Sequence, residues 1–339
     1  MKGFGFDVTN WTVRQTVFFL AVFVSLYGVT TYGIGEFGKL YENPFELLPA
    51  QAQWLHESPI QYLIGYILFN SLPPYIAYIL VQIIGGVFLI WSYLLLLKNR
   101  EIMHSELFLI LAMSPFLLVI FTWHGKPDIF LIASCFGMLA TSQKNKSLFP
   151  IFFLCSVFSH PQITIFYVVF FLILNQVKFS LVLLLSAVLS YGLYFGYINE
   201  LGDFSNRYDY IFENFRRLLL TQAKQPFFSI FCTFGWLWIP ILYLRSSLSF
   251  RFFTVAVLCF GITLATLDHT RVFVLLSIPL LVYLAEKNSV RKFCIELSPY
   301  LPIVILLLFQ FQKRPGGEIV DTSWSWFWGG PLAAYFGLS

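Results

Sequence analysis

The chain has 339 residues, of which 58% are hydrophobic, 20% aromatic and only 11% charged, with a mean hydropathy of +0.76. Soluble globular domains carry about 25% charged residues, and the apolar runs here recur end to end with hardly a polar face between them, which excludes a large water-soluble core. The formal charge of +4 is modest and its basic residues are scattered between apolar runs, so no nucleic-acid partner is expected.

In chain order, the first apolar run ends in Thr30-Thr31-Tyr32-Gly33 without a small-x-small cleavage site. It is expected to be an uncleaved first span. The expected spans are 13–33, 75–97, 105–123, 129–141, 147–159, 163–175, 179–198, 227–244, 252–267, 272–285 and 293–310. The stretch 59–72 is apolar but short, and Pro73-Pro74 ends it. A helix needs about 20 apolar residues to cross some 30 Å of hydrocarbon. The shorter runs therefore point to helices that stop within the membrane and leave loops in a protein-lined cavity. The expectation is one all-α integral membrane domain over 1–339, a polytopic transmembrane bundle of about 10–12 segments, several short or re-entrant. All five cysteines (Cys135, Cys155, Cys232, Cys259 and Cys294) lie in or beside apolar runs without metal-ligand spacing, as core-filling thiols do.

The positive-inside rule sets the sidedness. With Lys2 and Arg14 cytoplasmic and 59–72 dipping in without crossing, Lys98, Arg100, Lys144, Lys146, Lys178, Arg245, Arg251, Lys287, Arg291 and Lys292 all fall inside. If 59–72 crosses, that alternation breaks for every later loop. The outer connections are then 35–58, 123–128, 159–162, 200–226, 267–271 and the tail from Phe311. They hold His56, His124, His160 and His269, four of the five histidines. The tail carries Trp324, Trp326 and Trp328, an interfacial aromatic anchor or a substrate-stacking platform.

Two outer clusters are rich in chemistry. Trp123-His124-Gly125-Lys126-Pro127-Asp128 places three ionisable groups between apolar runs, where such groups face a cavity, pair, or act on a substrate. Its local alternative is a Lys126–Asp128 pair that caps a tight turn. Leu267-Asp268-His269-Thr270-Arg271 offers a carboxylate that can hold an imidazole in one tautomer, and a guanidinium fork suited to phosphate. A local Asp268–Arg271 ion pair is its alternative. Ser159-His160-Pro161-Gln162 is a third turn, with His160 as a further cavity candidate. The loop 35–58 supplies the carboxylates Glu36 and Glu42 among others. P-loop, dinucleotide-binding, H-E-x-x-H and G-x-S-x-G patterns are all absent from the sequence.

The carboxylate-rich first outer loop, the run Glu57-Ser58-Pro59-Ile60-Gln61-Tyr62-Leu63 that follows it, and the outer Asp128 resemble the multi-spanning glycosyltransferases of the GT-C fold. The resemblance covers roughly residues 1–130. It implies inverting transfer of a sugar from a polyprenyl-phosphate-linked donor; with the sidedness set by the charges, the N-terminus is expected to be cytoplasmic and the transfer on the extracytoplasmic face of the cell membrane. An acidic residue of the first outer loop is the usual base of that family, and outer basic residues hold the lipid phosphate. The family's paired acidic motif is missing, because Phe37 follows Glu36, so Glu36, Glu42, Asp128 and Asp268 all stand as catalytic candidates. Lys126, Arg271 and His269 are the phosphate-binding candidates, and His124 and His160 further cavity residues. The implied partners are membrane lipid and the lipid-linked donor, and the cofactor is left open, a divalent cation included. A transporter or flippase for a lipid-linked or anionic solute, or a polysaccharide polymerase or ligase using the same donors, are the alternatives. A transporter should carry ionisable residues at mid-span, whereas here they gather at span ends.

Overall fold

The computed structural model describes residues 34–45, 56–122, 127–201, 226–264 and 269–297, the isolated positions 216, 220 and 266, and the strands at 311–313 and 319–321. In chain order the helices are α1 (Ile34–Tyr41), α2 (Ile60–Phe69), α3 (Pro74–Arg100), α4 (His104–Met113), α5 (Phe116–Thr122), α6 (Asp128–Thr141) and α7 (Phe149–Ser159). They continue as α8 (Pro161–Ile173), α9 (Leu181–Leu201), α10 (Pro226–Phe234), α11 (Trp238–Tyr243), α12 (Phe250–Leu264), α13 (His269–Ala285) and α14 (Asn288–Leu297). The protein is thus helical as expected. One short antiparallel ribbon adds to that class, β1 (Phe311–Lys313) pairing with β2 (Ile319–Asp321).

Among the described residues two helices are long and apolar enough to cross a membrane, Pro74–Arg100 and Leu181–Leu201. Proline dictates several helix boundaries. Pro74 opens α3, and Glu101 closes it in the left-handed region (φ 57°), its N–H bonded to the Leu97 carbonyl. The expected span 105–123 is two helices instead of one. Ser114 precedes Pro115, so it is extended (ψ 164°) and ends α4, its N–H still on the Ile110 carbonyl. The expected span 227–244 is likewise divided, because Gly235 turns the chain at φ 58° between α10 and α11. The span expected at 293–310 begins in the shorter, polar-faced helix Asn288–Leu297; its remainder, like the whole of the first span at 13–33, lies outside the described residues.

Two compact units make up the chain: unit 1 of Met1–Thr30, Ile102–Thr122 and Phe215–Ser339, and unit 2 of Thr31–Glu101 and Trp123–Asn214. Unit 2 is built around α6, in which Asp128 and every residue from Phe130 to Thr141 are buried. A helix apolar on all sides must be enclosed by others, and α3 and α7 flank this one. Glycine allows the close approach. A Cβ at Gly85 would come within 2.8 Å of Ile129, and one at Gly137 within 2.1 Å of Phe152. Phe152 is fully buried and stacks on Phe88 and Trp91 at centroid distances of 5.4 and 5.1 Å. Unit 1 repeats the plan around α13, which is buried from Phe273 to Ala285 and packs against α12, α10 and α4.

In unit 2 the helix ends are sorted by polarity. Arg100 donates from Nε to the Leu139 carbonyl (2.9 Å), and from a terminal nitrogen to Ser142 Oγ (3.0 Å) and the Gln176 carbonyl (2.6 Å). Asn99 donates to the Ala140 carbonyl at 3.0 Å. These bonds satisfy carbonyls orphaned at and beyond the C-termini of α6 and α8. The N-termini of the same two helices lie at the opposite pole of the unit, since each helix is one unbroken run, of 14 and 13 residues respectively.

Candidate functional site

Three prolines sit at three helix starts: Pro59 before α2, Pro127 before α6, and Pro161 as the first residue of α8. Proline suits this position, because its missing N–H is one that the first turn leaves unpaired anyway. Each proline adjoins a polar residue, giving Ser58-Pro59, Pro127-Asp128 and His160-Pro161. The fold brings these three polar residues together. His160 Nε2 lies 3.0 Å from Asp128 Oδ1, and His160 Nδ1 lies 3.1 Å from Ser58 Oγ. Side-chain exposure is 10% for His160 and 3% for Asp128, so this pair is almost fully withdrawn from the surface.

His160 forms the corner between α7 and α8, in an extended conformation (φ −155°, ψ 90°) that the following proline enforces. Its N–H donates to the Ser156 carbonyl (2.9 Å), and its carbonyl accepts from the Thr164 N–H (3.0 Å) and hydroxyl (2.9 Å). A buried Ser156–Thr164 hydroxyl contact of 2.7 Å ties the two helices together behind the corner. The imidazole therefore projects from a backbone held on both sides. Asp128 is in the first turn of α6, where the helix macrodipole favours negative charge.

Neighbouring polar groups extend the cluster. Gln162 Nε2, one residue into α8 from Pro161, is 3.5 Å from Glu57 Oε2, and Glu57 is buried. Tyr197 of α9 donates to the Pro44 carbonyl at 3.0 Å and meets His56 Nδ1 at 3.0 Å. A carbonyl only accepts, so the Tyr197 hydrogen is committed to Pro44 and His56 Nδ1 is the donor to the Tyr197 oxygen. Tyr194, three residues earlier, donates to the Glu57 carbonyl at 3.4 Å. A carboxylate–imidazole–hydroxyl chain at converging helix N-termini can accept and return a proton, and its surroundings suit an anion.

Of the residues expected from sequence, Asp128 and His160 meet in this cluster. Glu42 is exposed, just after the end of α1. Glu36 lies on α1, with its side chain outside the described positions, as are Lys126, His124 and Asp268 entirely. His269 and Arg271 open α13 in unit 1; His269 is fully buried, edge-on to Phe260 at 6.1 Å, and Arg271 is half-buried. Glu57 stands among the first-loop carboxylates, and Ser58 and Gln162 within the quoted runs, but the sequence assigns none of them a place in this cluster; Tyr194 and Tyr197 carry no sequence signal. The recurring polar–proline pairs at helix starts were the signal that could have found Ser58. Among the described residues no group of three or more His, Cys, Asp or Glu is placed to hold a metal ion. No family model matches the chain, and neither a curated protein nor a solved structure matches it.

Proposed function

We propose that this chain is a multi-pass membrane glycosyltransferase similar to the GT-C enzymes, moving a sugar from a polyprenyl-phosphate-linked donor to an acceptor hydroxyl on the extracytoplasmic face. The observation that carries the reading is the buried Asp128–His160 pair at 3.0 Å, set where α6 and α8 begin. In the proposed reaction this pair takes the acceptor's proton. The acceptor oxygen bonds to the anomeric carbon as the carbon–oxygen bond to phosphate breaks, and the phosphate leaves with the electron pair. Lys126, two residues before Asp128 in the chain, is the proposed cation for that phosphate.

Membrane embedding is supported by the outward faces of the two long helices. Ile83, Val87 and Leu94 of α3, and Leu185, Leu189 and Leu193 of α9, are all exposed and recur at helical spacing. Stripes of this kind suit hydrocarbon and would drive association in water. The test is Asp128→Asn, with expression checked, in cells lacking their own copy of the protein. Disabling proton transfer at this pair costs about 10²–10⁴-fold in rate, so the unconsumed lipid-linked sugar should accumulate. An unchanged lipid-linked sugar pool in Asp128→Asn and in Lys126→Ala would overturn the reading.

A further inference from the structure

Asp128 and His160 are both buried, whereas Ser58 is half-buried, so of the three only Ser58 reaches toward the surface. An acceptor alcohol cannot touch a carboxylate enclosed in this way without unpacking the start of α6. The hydrogen-bond chemistry offers another route. A carboxylate only accepts, so Asp128 Oδ1 takes the Nε2–H of His160, and the neutral ring's lone pair is then on Nδ1. Nδ1 lies 3.1 Å from Ser58 Oγ, and an oxygen facing a lone pair must donate its hydrogen.

We propose that Ser58, His160 and Asp128 form a proton relay that opens at Ser58, with His160 as the base acting through the serine hydroxyl and Asp128 as the residue that positions the ring and stabilises its charge. The proposal rests on the glycosyl-transfer reading only for the identity of the alcohol that uses the relay. The acceptor hydroxyl gives its proton to Ser58 Oγ while Ser58 passes its own to His160 Nδ1. The acceptor oxygen attacks the anomeric carbon, and the bond from that carbon to the phosphate oxygen breaks with its electrons on phosphate. The imidazolium, held by the Asp128 carboxylate, then returns its proton through Ser58 to solvent. No atom is left over, and Ser58 forms no covalent bond to substrate.

The backbone supports this division of roles. Ser58 and His160 each precede a proline, which restricts the conformations open to both. The Ser156 and Thr164 bonds fix the backbone at the His160 corner, and the Asp128 carboxylate holds Nε2, which leaves Nδ1 toward Ser58. The alternative is a purely structural knot, in which the tautomer and the serine hydroxyl would not matter as long as the residues pack.

The experiment is nitrogen NMR of the full chain in lipid nanodiscs, labelled with 15N-histidine, with His160 assigned by its loss in His160→Gln. The expected result is an Nε2–H tautomer in the unsubstituted protein. It should persist in Ser58→Ala with a shifted Nδ1 resonance, and invert or mix in Asp128→Asn, whose amide can donate to Nε2. An Nδ1–H tautomer in the unsubstituted protein overturns the relay, because Ser58 would then be an acceptor. In cells lacking their own copy, the same variants are compared through the lipid-linked sugar released from membranes by mild acid. Ser58→Ala should slow consumption of that pool about 10²-fold or more, and Ser58→Thr, which keeps the hydroxyl, should restore it. Full turnover in Ser58→Ala overturns the relay. An Nε2–H tautomer with a pool unaffected even by Asp128→Asn would instead refute the glycosyl-transfer reading and leave the tautomer assignment standing.

Discussion

Substituting Gly137 by alanine tests the packing that presents Asp128. The added Cβ would stand 2.1 Å from Cδ1, 2.2 Å from Cε1 and 2.4 Å from Cγ of Phe152. Ordinary contact begins at 3.4 Å, so the ring or the helix must move by about 1.3 Å, the difference between 3.4 and 2.1. Phe152 cannot swing freely, being fully buried and stacked against both Phe88 and Trp91. Overpacking a core in this way costs about 1–3 kcal/mol. For a unit of this size each kcal/mol lowers the midpoint by about 2–4 °C, so Gly137→Ala should unfold roughly 2–12 °C earlier. The assay is thermal unfolding in detergent at a fixed scan rate, followed by intrinsic fluorescence. Because Phe152→Leu shortens the obstructing ring, adding it should recover part of the loss in Gly137→Ala. An unfolding midpoint for Gly137→Ala within 1 °C of the unsubstituted protein, about a quarter to half a kcal/mol, would refute the close α6–α7 approach.

Arg100→Met removes a cation that donates to Leu139, Ser142 and Gln176, and hydrogen bonds from charged groups are worth about 1.5–3 kcal/mol each before non-additivity. Its unfolding midpoint should fall further than that of Lys144→Met, whose surface pair with Glu101 is largely exposed and worth at most about 1 kcal/mol. A spin label at Val87→Cys, on the exposed stripe of α3, should be relaxed by oxygen and not by a water-soluble nickel complex; the reverse pattern would take α3 out of the membrane.

The long helices were the easiest elements to read from the sequence. The expected spans 75–97 and 179–198 differ by a few residues from Pro74–Arg100 and Leu181–Leu201, because a long apolar run needs no partner to declare itself. The break at Ser114-Pro115 was also present in the sequence, since a residue before proline disfavours the helical region. It was passed over because hydropathy stays high on both sides. Asp128 and His160 were each visible as polar residues in apolar surroundings, but their pairing was not. They are 32 positions apart, joined only because α6 and α8 start at the same pole of unit 2. Ser58 was missed for a related reason. A serine is unremarkable in composition, and its chemistry comes wholly from the nitrogen 3.1 Å away. Gly85 and Gly137 looked like ordinary glycines in apolar runs, and only the aromatic neighbours show what they admit.

The most direct measurement is a double-mutant cycle on Asp128 and His160, read as the lipid-linked sugar that accumulates in cells carrying only the variant protein. Residues that act as one unit are strongly non-additive, so Asp128→Asn, His160→Gln and the combination should all raise the pool to about the same level. Pools that match the unsubstituted protein in all three, with the proteins present in the membrane at equal amounts, would contradict glycosyl transfer at this site.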